Sequence, residues 1–120
     1  MNAVEPETVR TVLFHHSDGL LTKFRGNKGI DPLQLARLYE LLEAIRADWR
    51  YQANISKALM CELNCLVPAL YRHLEQYNDS ELCEQYKRKI YDLDVAVSMC
   101  LDPDPSNSSF DISLDSLRDT

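Results

Sequence analysis

The stretch "NCLVPALYRHL", residues 64–74, sets a proline inside a run that otherwise reads as helix. Proline lacks the N–H that the helical ladder needs. It also disfavours helical backbone at the residue before it, and inside a helix the cost is about 3 kcal/mol. Asn64 offers a stop just upstream. Yet Leu63, Leu66 and Leu70 keep one face on both sides of Pro68. A turn ordinarily loses that phase, so the spacing predicts a kinked continuation rather than two helices joined at Pro68.

Outward from this stretch the same face extends a long way. Steps of three and four residues from Leu35 meet Leu38, Leu42, Ile45, Trp49, Gln52, Ser56, Leu59, Leu63, Leu66, Leu70, His73 and Tyr77. All but Gln52, Ser56 and His73 are apolar or aromatic. That is heptad-type spacing, with a polar gap at Gln52 and Ser56. An amphipathic helix inside a small bundle shows the same spacing, so the stripe serves either as this chain's own core or as a seam with another chain.

Punctuation frames the stripe. Asp31-Pro32 reads as an N-cap followed by proline at the first helical position. The expected long helix over 32–77 would run about 70 Å at 1.5 Å per residue. "YNDSEL" at 77–82 breaks it, with Asn78 as cap and Glu81 reaching back. A second stripe then runs through Cys83, Tyr86, Ile90, Leu93, Val97 and Cys100, and its helix should end near Leu101 before "DPDP".

Upstream, residues 5–25 read as one helix or two short ones. Pro6 suits a first turn, "SDG" at 17–19 interrupts, Ser17 or Asp18 can cap a second short helix, and Gly26 stops it. The expected fold is therefore all-α. A long kinked central helix carries antiparallel flanking helices, as a helical hairpin or three-helix bundle with coiled-coil-like packing. The regions are 1–30 (short helices and a loop), 31–101 (the helical hairpin) and 102–120 (a disordered acidic tail).

Charge and composition narrow the function. The 120 residues carry a net charge of −6. Five aspartates and one arginine give the tail −4, which leaves −2 for residues 1–101. A nearly neutral body argues against direct nucleic-acid binding through phosphate contacts. The basic clusters "KRK" at 87–89 and "TKFRGNK" at 22–28 read as solvated faces. No run approaches 18 apolar residues, so no membrane span is expected. "MNAVEPETVR" carries no secretory pattern, which points to an intracellular setting, cytoplasmic or nuclear. The four cysteines, at 61, 65, 83 and 100, then read as reduced thiols and small buried hydrophobes.

Chemistry finds little support. "GNKG" at 26–29 lacks the spacing of a phosphate loop. Cys61 and Cys65 are four apart, not the tighter Cys-x-x-Cys of most zinc knuckles. His15 and His16 have no nucleophile or carboxylate at a telling distance. No catalytic residue, metal site or cofactor is expected, and no enzymatic activity.

The expected function is a protein–protein interaction subunit or adaptor of a larger complex, whose partner is another helical protein chain. The residues expected to bind it are Leu35, Leu38, Leu42, Ile45, Trp49, Leu59, Leu63, Leu66 and Leu70. A compact self-contained regulator that binds a peptide or small ligand is the alternative; it requires a bend near Gln52–Ser56 that lets three helices close around one pocket. A secreted, cytokine-like helical factor, which a Cys61–Cys100 or another disulfide would indicate, is a third and the weakest. In the tail, Phe110, Leu114 and Leu117 have the spacing of a short docking helix. Ser108 and Ser116, each with an aspartate three residues on, suit acidophilic phosphorylation.

Overall fold

The computed structural model describes residues 4–49 and 54–101, with Leu101 described only as backbone. They form five helices and no strand: α1 (Pro6–Phe14), α2 (Leu20–Arg25), α3 (Pro32–Trp49), α4 (Lys57–Leu74) and α5 (Ser80–Leu101). The all-α expectation stands. The tail motif Phe110, Leu114 and Leu117, together with Ser108 and Ser116, lies outside the described residues.

The single long helix is corrected to two. α3 and α4 are separate, and Asn54–Ser56 between them are not helical. Ser56 is the N-cap of α4: its backbone is extended, and its hydroxyl accepts the Leu59 N–H at 3.2 Å. Ser56, one of the two polar residues of the gap, thus stands at a helix boundary. Pro68 sits inside α4, which runs on through it to Leu74. The expectation of continuation at Pro68 holds.

Local chemistry accounts for the other ends. Asp31 caps α3 by accepting the N–H groups of Leu33 (2.9 Å) and Gln34 (3.4 Å). Its second oxygen accepts from Lys23 Nζ at 2.6 Å, tying α2 to the start of α3. The cap of α5 is Asp79, not Asn78: its carboxylate accepts from the N–H groups of Glu81 (3.0 Å) and Leu82 (3.1 Å). α2 starts at Gly19 with no side-chain cap. The Ser17 and Asp18 N–H groups instead donate to His15 Nδ1, at 3.4 and 3.2 Å, and this turns the chain out of α1.

One core runs through all five helices. α5 packs on both α3 and α4, α1 also meets both, and α2 lies against α1 and α4. Val9, Leu13, Leu20 and Phe24 from the first two helices join Leu38, Leu42, Ile45, Leu63, Leu66, Leu70, Ile90 and Leu93 in it. The Cys100 thiol donates to the Leu42 carbonyl at 3.3 Å, and burial pushes its pKa up to about 12.

Candidate interaction face on α4

The sequence-derived partner stripe is where the chain closes on itself. Leu38, Leu42, Ile45, Trp49, Leu59, Leu63, Leu66 and Leu70 are each at most 6% exposed, and Leu35 is half-buried against the same core. The residues fall in two helices, each turning its apolar side inward. In this fold the eight buried residues present almost no surface to a partner. Tyr39 is buried with them.

The opposite side of α4 is unusual. Ala58, Cys61, Asn64, Cys65, Pro68 and Tyr71 are all exposed and all uncharged. From Ala58 to Tyr71 the only charged residue is Glu62. Its carboxylate is already engaged, accepting from Arg10 Nε at 3.1 Å and Arg10 Nη2 at 2.6 Å across to α1. That pair holds the Arg10 guanidinium above its ordinary pKa, first through the Glu62 hydrogen bond and then through its charge. The outer faces of the other long helices are ordinary by contrast. α3 shows Arg37, Glu40 and Glu43 to solvent, and α5 shows Glu81, Glu84, Lys87, Arg88 and Asp94, so their exposed Leu33 and Tyr91 sit on charged helices.

Three features of this face bear on what it can do. Tyr71 offers an aromatic anchor, 38% exposed. Pro68 has no N–H to donate to the Asn64 carbonyl one turn back, so that acceptor lacks its regular helical donor. Cys61 and Cys65 stand one turn apart with accessible thiols, whereas Cys83 is half-buried and Cys100 buried. The expectation that all four cysteines are interior thus fails for two of them. Desolvation first, then the neighbouring Cys61, raises the pKa of the Cys65 thiol.

Leucine periodicity does not mark this face. The signal was still there: sixteen residues from Lys57 to Arg72 hold one charge between those two ends.

Two concave surfaces lie elsewhere. An open cleft of about 450 Å³ is lined by residues 27–29, 76–79, Leu82 and Tyr86. Much of its polar lining already serves the fold. Gln76 Nε2 donates to the Phe24 carbonyl, Tyr77 bridges Phe24 and Gly29, and Asp79 caps α5. A shallower groove runs along α1 beside Arg10 and Phe14, ending at the stacked rings of His15 and His16. Among the described residues, no three His, Cys, Asp or Glu side chains gather into a metal-binding group, and no helix is long and apolar enough to cross a membrane.

Set against known proteins, the chain matches no family model, no curated protein and no solved structure.

Proposed function

We propose that this chain is a non-enzymatic protein–protein interaction subunit. It completes its own core and docks another helical protein chain through the outer face of α4. The observation that carries this reading is the uncharged run of exposed residues from Ala58 to Tyr71. Removing a charged face from water is expensive unless every charge finds a partner. An uncharged face with one aromatic anchor avoids that cost, and interface centres are depleted in charge in the same way.

The leucine stripe keeps a role in this reading, but an indirect one. It fixes α4 against α5 and α1, so the outer face is presented on a rigid support. The structural ion pairs fit the same picture: Arg10–Glu62 joins α1 to α4, and Lys23–Asp31 joins α2 to α3. An adaptor or complex subunit in an intracellular setting remains the expected context.

The test is affinity capture with crosslinking, comparing wild type with Asn64→Glu and Cys65→Glu. Both positions are exposed, so neither change should lower Tm appreciably. Partners crosslinked at α4 in the wild type and lost in both variants support the proposal. An identical partner set in all three proteins, with unchanged Tm, rejects this face.

A further inference from the structure

Cys61 and Cys65 occupy successive turns on the exposed side of α4. Side chains at that spacing are neighbours, with Cβ atoms about 5–6 Å apart. Both cysteines are exposed residues. Neither takes part in the core, unlike Cys100.

Geometry discriminates among the chemistries open to such a pair. A disulfide requires Cβ atoms about 3.5–4.5 Å apart, closer than a regular helical turn brings them. A tetrahedral zinc site takes at least three protein ligands, and the described residues offer no such group. A two-coordinate ion needs only two sulfurs on opposite sides of it. With bonds close to the roughly 2.3 Å of a zinc thiolate, those sulfurs would lie about 4.6 Å apart. A Cβ separation of about 5–6 Å admits that span without unwinding the helix.

We propose that Cys61 and Cys65 form a two-coordinate site for a soft monovalent metal ion, with cuprous copper as the ion it takes. Thiolates select this ion over the harder divalent metals. On binding, each thiol releases its proton to solvent and each sulfur donates an electron pair to the metal. Two thiols and one Cu⁺ thus give a bis-thiolate complex of charge −1 and two protons, with no change of oxidation state. Glu62, the charged residue between the two cysteines, is paired with Arg10, so its carboxylate is already offset beside the site. The site does not depend on whether the same face docks a protein.

The experiment titrates the reduced full-length chain with Cu(I), under anaerobic conditions, against a chromophoric Cu(I) chelator. Wild type and Cys83→Ser should each withhold one equivalent from the chelator. Losing an outer-shell partner of a metal site costs about 10–100-fold in affinity, so losing a ligand should cost at least about 100-fold. Cys61→Ser and Cys65→Ser should each show that loss, with circular dichroism unchanged. Retention by either single variant equal to that of wild type overturns the site, as does loss of the bound equivalent in Cys83→Ser. Quantitative formation of a Cys61–Cys65 disulfide with helicity intact would overturn the geometric basis.

Discussion

Tyr77 and Phe24 are joined twice. Their rings stack with centroids 4.8 Å apart, and the Tyr77 hydroxyl donates to the Phe24 carbonyl at 2.8 Å. The same hydroxyl accepts the Gly29 N–H at 2.9 Å, so one side chain ties the end of α4 to the loop between α2 and α3. Tyr86 of α5 closes the cluster with edge contacts to both rings. Burial is the main reason the Tyr77 hydroxyl is raised above its ordinary pKa.

Tyr77→Phe keeps the rings and removes the bridge. The Phe24 carbonyl still accepts from Gln76 and Asn27, but the Gly29 N–H is left without its partner. An unsatisfied buried donor costs about 1–3 kcal/mol. Thermal unfolding should show a drop of roughly 4–8 °C per kcal/mol. Gly29→Ala should also destabilise, because φ is +82° there and an added methyl would run into the Tyr86 hydroxyl. Wild-type Tm in both variants would show that this junction does not hold the helices together.

Asp31 gives the fold an acid-sensitive corner. The Lys23 hydrogen bond is the largest influence holding its carboxyl below the usual range, and the Leu33 and Gln34 N–H groups act the same way. A folded pKa below the unfolded one means the stabilisation is complete above about pH 3.9 and fades as pH falls through the folded value. Loss of the cap in Asp31→Ala should cost about 1 kcal/mol at neutral pH. Denaturant unfolding at about pH 7 and about pH 3 checks the sign: the gap between wild type and variant should narrow in acid. A constant gap would contradict the charged pair.

Pro68 lies on the exposed side of α4, where its ring contributes little to the core. Pro68→Ala restores an N–H facing the Asn64 carbonyl and should stabilise the isolated chain by up to about 3 kcal/mol. Denaturant unfolding monitored by circular dichroism measures it. A loss of stability instead would mean that α4 needs the proline's geometry to meet its neighbours.

Much of the fold was legible in the sequence because local chemistry wrote it there. Asp31-Pro32 starts α3, Gly26 ends α2, and the stripe from Cys83 to Cys100 forms α5. The break between α3 and α4 was only half legible: the polar gap at Gln52 and Ser56 marked the place, but the phase of the leucines argued for one helix. Trp49 and Ser56 are seven residues apart, so two independent helices kept one heptad phase across their boundary. The His15 turn was equally hidden, since a ring nitrogen accepting two backbone N–H groups leaves no spacing pattern. Whether the leucines faced inward or outward was beyond periodicity too, because core and seam share the same spacing. The uncharged α4 face was readable as an absence of charge, a weaker signal than a repeat.

The central claim is that the Leu38–Leu70 stripe seals this chain's own interior, leaving the other side of α4 for contact. Thermal unfolding of the purified chain over a ~100-fold concentration range tests it most directly, with light scattering to give the mass, because coupling to association makes Tm depend on concentration. A self-sealed core should melt cooperatively as a monomer at one Tm throughout. A Tm that climbs steadily with concentration, with an oligomer seen by scattering, would contradict it.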